Sequence, residues 1–159
     1  MTVRITRASA DEAETLAPVL TALCRRAKAH WGYPAELLAR WANDLRIDAA
    51  DIVADMVLVG RTPDTTIAGF ARVTTRIDHA QLQDLWIEPA FMGTGCGRAL
   101  WDAAVDVART LPFDELRFAA DPNAEPFYEH MGAHRTGFAP SEVIDGRTLP
   151  LMAFDLRSG

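Results

Sequence analysis

The sequence predicts a single α/β domain, residues 1–159, built on a mixed but mostly antiparallel sheet of about six or seven strands flanked by about four helices. Three observations carry this prediction. The chain has 159 residues, 49% of them apolar, which is enough for one core. Several strand-like segments follow one another across short turns, which is typical of antiparallel hairpins, and a later strand-helix-strand order requires a parallel pair. A purely parallel Rossmann sheet is excluded.

Charge and composition narrow the function classes. Lys and Arg number 16 against 22 Asp and Glu, a net charge of −6, so the chain lacks the basic surface that binds nucleic acid. The two cysteines and the absence of a Cys/His cluster predict no metal and a reducing compartment. With no export signal and no apolar run near the roughly 20 residues of a membrane span, we expect a soluble cytoplasmic protein without a membrane partner.

The first third of the chain predicts a strand followed by a helical hairpin. Residues 2–7 alternate apolar and polar side chains, which indicates a half-buried strand. The capping-box pattern from Ser9 to Glu12 then begins a helix. Pro34 is well placed to begin a second helix. The apolar stripes of these two helices are formed by Leu16, Leu20, Leu23 and Ala27, and by Leu37, Leu38 and Trp41.

From residue 55 onward the periodicity becomes that of strands. Segments 56–61, 67–77 and 82–89 predict three antiparallel strands, with a turn at 62–64. An alanine-rich helix is expected over Arg98–Arg109. The remaining predicted elements are a strand at 116–120, a short helix from Asp121 that Gly132 ends, and strands at His134–Phe138 and Leu149–Leu156.

The most informative segment, residues 85–100, runs from a strand through three alternating glycines into a helix. Gly93, Gly95 and Gly97 let backbone N–H groups point into one concavity, and the helix N-terminus adds its positive dipole end. This arrangement predicts a pyrophosphate cradle, the alternative being a turn without a ligand. The loop lacks the Lys-Ser/Thr of a P-loop, and Leu100 replaces the last glycine of the dinucleotide fingerprint. Binding of a nucleotide phosphate is therefore the third hypothesis for this loop, and competition with ATP or NAD would test it.

This segment resembles motif A of the GNAT superfamily, the acetyl-CoA-dependent N-acyltransferases. In the family the loop reads Arg/Gln-x-x-Gly-x-Gly/Ala. Gly95 and Gly97 match that pattern, whereas Met92 replaces the usual Arg or Gln, which weakens one expected contact to the pyrophosphate and leaves the backbone cradle in place. A second segment, Asp121–Ala133, resembles motif B in its Asn, Phe-Tyr and Gly-apolar positions. The resemblance covers about residues 3–156 and is strongest over 82–133.

The resemblance implies a function and a cofactor. It implies transfer of an acetyl group from acetyl-CoA, the cosubstrate, to a primary amine of a small molecule or peptide, by direct attack in a ternary complex without a metal. It also implies that the strand before the glycine loop splays from its neighbour and binds pantetheine through its main chain. The residues that the resemblance assigns to the cofactor are Trp86, Ile87, Met92, Gly93, Thr94, Gly95, Cys96, Gly97, Arg98 and Asn123.

Acetyl transfer needs a proton acceptor for the amine and a proton donor for the leaving thiolate. Tyr128 matches the motif B tyrosine and is the candidate acid, the alternative being a core tyrosine. Asp84 and Glu88, which strand spacing places on one face, are the candidate bases, with His79 after them. The alternative for each of these three residues is a solvated charge at a strand end without a catalytic role. The alternative to any dedicated base is an ordered chain of water molecules that carries the proton away.

The acceptor pocket is expected beside the connection between the first two helices. Trp31 and Tyr33 are candidate walls of that pocket, and the alternative is that they anchor the second helix to the sheet. Trp41 is predicted to be a core residue, because it lies at helical spacing from Leu37 and Leu38. Arg147, in a turn between the last strands, either pairs with an acceptor carboxylate or faces water. Cys96 reads as structural. The acidic net charge favours cationic acceptors such as polyamines.

Two further options stay open from the sequence. Met92 and the absence of an obvious base are also compatible with a non-catalytic domain that binds acyl-CoA or senses it, because a fold does not imply activity. The edge strands leave room for a homodimer, which many members of the superfamily form.

Overall fold

The computed structural model describes residues 2–141 and 143–157. It contains one seven-stranded sheet in the order β1-β2-β3-β4-β5-β7-β6. The strands are β1 Arg4–Arg7, β2 Met56–Arg61, β3 Ile67–Thr75, β4 Ala80–Ile87, β5 Glu115–Ala119, β6 His134–Pro140 and β7 Thr148–Asp155. The helices within these ranges are α1 Ala13–His30, α2 Ala35–Arg40, α3 Ala49–Ala54, α4 Cys96–Ala108 and α5 Glu125–His130.

The predicted fold class is confirmed. The strand pairs are antiparallel except for the pair of β4 and β5, which is parallel. Helix α4 connects these two strands along the chain. The sequence patterns did not predict α3, because only Ile52 of its six residues is buried and no apolar repeat is visible. Asp48 and Asp51 nevertheless form a capping box at its start. No helix within the described ranges combines the length and the apolar character of a bilayer span.

Helices cover both faces of the sheet and bury two hydrophobic clusters. The apolar stripe of α1, which includes Leu20 and Leu23, packs with Val59 and Phe70 against one face. Leu100 and the alanines of α4 pack against the other face. Full burial of a leucine side chain contributes about 2 kcal/mol. These two clusters therefore hold α1 and α4 firmly on opposite sides of β4.

A β-bulge in β4 sets which side chains face each helix layer. Val73 pairs with Leu82 and Arg72 pairs with Asp84, so Gln83 is the extra residue on the β4 side. Leu82 and Leu85 consequently both pack in the α4 cluster, although they are three residues apart. Asp84 is turned to the opposite face, where Trp86 packs in the α1 cluster.

The parallel strands β4 and β5 separate soon after they meet. They pair only at Ala80 with Leu116 and at Gln81 with Arg117. Beyond these pairs the two strands diverge and together form a V, in which one arm is β4 as far as Ile87 and the other is β5 as far as Ala119. The main-chain groups of β4 that face this opening are thereby left for another partner.

Candidate active site

A groove of about 770 Å³ occupies the V between β4 and β5. One wall is β4 from Leu82 to Ile87, and the other runs from Phe118, near the end of β5, to Asp121. The glycine loop closes one end, and residues of α5 and the preceding turn complete the lining. The splay that the sequence resemblance implied therefore produces a continuous groove that ends at the glycine loop.

The glycine loop adopts backbone conformations that favour glycine. Gly93 and Gly95 have φ values of +77° and +89°, and Gly95 is the N-cap of α4. A Cβ built on either residue would meet nothing within 4 Å, so both face open space. The first N–H groups of a helix have no partner inside the helix. Free N–H groups, open space and the Arg98 side chain at the groove suit a pyrophosphate.

Most of the residues that were predicted to bind the cofactor line this groove. Thr94 and Cys96 do not: the Thr94 hydroxyl donates to the Phe91 carbonyl oxygen, and Cys96 is buried in the core beneath the loop. Burial raises the pKa of the Cys96 thiol, which suits the structural role expected for it. The predicted residues that line the groove are Trp86, Ile87, Met92, Gly93, Gly95, Gly97, Arg98 and Asn123.

Asp84 is the one candidate base that lines the groove. Trp86 Nε1 donates a hydrogen bond to Asp84 Oδ1 at 3.0 Å, and Arg72 Nε lies 3.0 Å from Oδ2. Burial raises the pKa of Asp84 to about 6, against the opposing charge of Arg72. Sequence reasoning missed Arg72, although a lone arginine inside the apolar strand β3 was a signal that it has a buried partner.

The ion pair between Arg72 and Asp84 is incomplete. Nε of Arg72 and Oδ2 of Asp84 are both buried, and neither makes a hydrogen bond of good geometry with a described residue. The guanidinium is also shared, because Asp51 and Asp55 lie 3.3 and 3.7 Å from it. One lone pair of a buried carboxylate at the groove is therefore left without a donor.

The other two candidate bases lie elsewhere. Glu88 follows β4 and forms a two-point ion pair with Arg26 of α1, with both N···O distances 2.7 Å, and it does not line the groove. His79 precedes β4, at the end opposite the V, and its Nδ1 lies 2.7 Å from Asp78. Glu88 and His79 therefore do not line the groove with Asp84: Arg26 holds Glu88 beyond the end of β4, and His79 lies before the start of that strand.

Tyr128 lies at the floor of the groove on α5 and is only 7% exposed. Its ring packs against Phe118 and Trp101, with centroids 4.5 and 5.7 Å away. Burial, and then the charges of Asp84 and Asp121, raise its pKa. The phenol therefore keeps its proton throughout the neutral range and is able to donate it.

Trp31 lines the groove and is 42% exposed, so it forms a wall on the α1 side. Tyr33 lies behind the groove, and Trp41 is buried against it with ring centroids 4.8 Å apart, which confirms Trp41 as a core residue. The Tyr33 hydroxyl donates to Asp121 and accepts a hydrogen bond from Arg147. Arg147 therefore faces the protein and not water.

Comparison with known proteins identifies the class. A family model described as "Acetyltransferase (GNAT) domain" matches residues 42–152, more than half of the chain. The chain belongs to this family of GNAT acetyltransferases. No curated protein matches it.

Solved structures of GNAT proteins share the fold. A GCN5-related N-acetyltransferase from Rhodopseudomonas palustris is 21% identical with a TM-score of 0.72, and the match covers 98% of this chain and 96% of that one. PaiA N-acetyltransferase from Thermoplasma acidophilum, solved with coenzyme A, is 20% identical with a TM-score of 0.69 and coverage of 98% and 99%. YncA from Salmonella typhimurium, solved with acetyl-CoA, is 18% identical with a TM-score of 0.69 and coverage of 100% and 96%.

Proposed function

We propose that this protein transfers the acetyl group of acetyl-CoA to a primary amine by direct attack in a ternary complex. The observation that carries the proposal is that one groove brings together the glycine loop, the buried carboxyl group of Asp84 and the hydroxyl group of Tyr128. Family membership gives acetyl transfer as the class of reaction. The relatives solved with coenzyme A and acetyl-CoA support the choice of cofactor.

The cofactor would lie along the V. Its pyrophosphate would accept hydrogen bonds from the N–H groups that begin α4, next to Arg98. Its pantetheine arm would pair with the main chain of β4 near Trp86 and Ile87 as an added strand does, because β5 has already diverged there. An N–H of the same strand would then donate to the thioester oxygen as negative charge develops on it. Asn123 is a further candidate donor at the groove wall.

We assign the base to Asp84, acting on the amine directly or through one water. A carboxyl group with a pKa of about 6 is ionised at neutral pH and more basic than an exposed aspartate. The N–H of Trp86 orients one oxygen, and the other has a lone pair without a donor. The amine nitrogen then forms its bond to the thioester carbon while Asp84 receives the proton.

We assign the acid to Tyr128. Collapse of the tetrahedral intermediate breaks the carbon–sulfur bond, and the departing thiolate takes the phenolic proton. The proton balance closes because the proton taken from the amine and the proton returned to the phenol both exchange with solvent after product release. The raised pKa keeps Tyr128 protonated at neutral pH, so its O–H is available to donate a hydrogen bond, and then the proton, to the sulfur as negative charge develops there.

The first test is calorimetric titration with acetyl-CoA, with coenzyme A and, as a control, with ATP. We expect saturable binding of both coenzyme A species and none of ATP. A screen of amines that follows thiol release then tests for transfer. Competition by ATP or NAD would instead indicate a phosphate binder, and tight binding of acetyl-CoA with no transfer to any amine would indicate a binding or sensory domain.

A further inference from the structure

We infer that the amine acceptor also carries a carboxylate, as amino acids do, and that a cluster behind Asp121 binds this carboxylate. The inference rests on the proposed function, because it names the chemical class of the acceptor. The cluster, called the anion subsite below, consists of Lys28, Tyr33, Asp121, Asn123 and Arg147.

Three separate segments converge to form the anion subsite. Lys28 of α1 donates from Nζ to Asp121 Oδ2 at 2.7 Å, and the Tyr33 hydroxyl donates to the same oxygen at 3.0 Å. Arg147, from the connection between β6 and β7, donates from Nη2 to the Tyr33 oxygen at 2.6 Å. Asn123 Nδ2 lies 3.1 Å from that oxygen and 2.9 Å from Asp121 Oδ1. The subsite is therefore a connected network and not a scatter of surface charges.

The charges of the anion subsite do not balance. Two cations, Lys28 and Arg147, surround a single carboxylate, Asp121, and Arg147 Nη2 is 3.5 Å from it. Burial would raise the pKa of Asp121, but Lys28 and the N–H of Asn123 hold it below its ordinary value, so it is ionised at neutral pH. The described residues thus contribute one unit of excess positive charge at a site where the charged side chains are 11% to 16% exposed.

Aromatic rings compensate part of this excess. The Lys28 ammonium lies 4.3 Å from the ring centroid of Trp41, and the Arg147 guanidinium lies 5.0 Å from that of Tyr33. A ring face carries no net charge, so it stabilises a cation less than a carboxylate does. Arg147 has five N–H donors, and one of them donates to a described residue, the Tyr33 oxygen. An incoming carboxylate would supply the missing charge and accept two of the remaining donors.

The position of the anion subsite connects it to the reaction. Asp121 and Asn123 line the groove, and both contact the Tyr33 hydroxyl, so the subsite lies directly behind the groove wall. Trp31 forms the wall on the same side, and Asp84 lies in the same groove. The proposal places the carboxylate of the acceptor at Arg147 and its amine in the groove that Asp84 lines. The local charge also disfavours polyamines, the opposite of what the acidic net charge favours.

The experiment compares matched pairs of amines with the native protein and acetyl-CoA. Each pair consists of an amino acid and its carboxamide or decarboxylated amine, so that the amine is kept while the negative charge is removed. Thiol release gives kcat and KM for each. We expect the amino acids to exceed their uncharged partners at least about 10-fold in kcat/KM, mainly through a lower KM, as the loss of a bidentate charged contact implies.

A second readout does not depend on acetyl transfer to the probe. Carboxylates that lack the amine should compete with the amine acceptor. Arg147→Met should abolish this inhibition and raise KM for amino acids at least about 10-fold with little change for the carboxamides, whereas Arg147→Lys should retain part of both. The matched control is Arg7→Met, which removes an exposed arginine at the other edge of the sheet.

The outcomes separate the two proposals. Equal or better use of the carboxamides and decarboxylated amines by the native protein would overturn the inference and leave acetyl transfer intact. Absence of transfer to every amine, with acetyl-CoA still bound, would overturn the proposed function itself. Because the matched pairs use the native chain, misfolding of an Arg147 variant does not affect this decision.

Discussion

Arg72 Nε lies 3.0 Å from Asp84 Oδ2, and the same guanidinium also approaches Asp51 and Asp55. One cation shared by three carboxylates cannot neutralise the most buried of them completely. Burial therefore prevails over attraction, and the pKa of Asp84 rises to about 6. This relationship suits Asp84 to the role of base that we propose for it.

Asp84→Asn should reduce kcat/KM for the amine by about 10²-fold or more, because an amide cannot accept the proton. In the native protein kcat/KM should fall as the pH falls through about 6, since Asp84 becomes protonated there. The pH profile from pH 5 to 8.5, measured with acetyl-CoA saturating, checks both statements. Asp78→Asn, which changes an exposed aspartate outside the groove, should retain the native profile.

The same residue should make folding stability depend on pH in a defined direction. Its pKa is higher in the folded state than in the unfolded state, so the ionised form destabilises the fold as the pH rises through 6. The shift corresponds to about 2 to 3 kcal/mol. Asp84→Asn should therefore gain stability relative to the native protein by up to that amount between pH 4 and pH 8. Urea denaturation at both values measures it, and a constant difference would contradict the assignment of the shift to Asp84.

Asp55→Asn should move the acidic limb of the pH profile to lower pH. The charge of Asp55 raises the pKa of Asp84, and Asp55 also competes for Arg72. Its removal favours the ionised form of Asp84 in both ways. The expected shift is a fraction of a pH unit with kcat at pH 8 unchanged. A shift in the opposite direction would show that Asp55 acts mainly by orienting Arg72.

Tyr128→Phe should lower kcat about 10-fold to 100-fold while acetyl-CoA binds as before, because only the proton donor is lost. The phenylalanine ring keeps the contacts with Phe118 and Trp101, so the thermal midpoint should change little. Stopped-flow measurement of thiol release, together with calorimetry, separates the two effects. Unchanged kcat would assign the proton donation to water.

Gly95→Ala should weaken coenzyme A binding about 10-fold, because an alanine at φ +89° strains the N-cap from which the N–H groups are presented. The space around the added methyl is open, so backbone conformation and not a clash is the cause. Calorimetric Kd values give the result. Gly137→Ala is the control, since that glycine also faces open space and lies in β6, away from the loop.

Local patterns in the sequence predicted most of the fold. Alternation identified the strands, and the three glycines, together with Tyr128, lie along the groove that we propose for the cofactor. The patterns could not locate the bulge at Gln83, which decides that Asp84 faces the groove. Nor could they assemble a network whose members are as distant in sequence as Lys28, Asp121 and Arg147. Those properties depend on which segments meet in three dimensions.

Lys28 is the only lysine in the sequence, and it is 9% exposed with its amine directed at Asp121. A protein that handles a reactive thioester next to its own surface therefore offers that thioester almost no side-chain amine. Spontaneous acylation by the cofactor, which modifies exposed lysines, has no such target here. The same feature means that lysine-directed labels and cross-linkers would report chiefly on the chain's α-amino group.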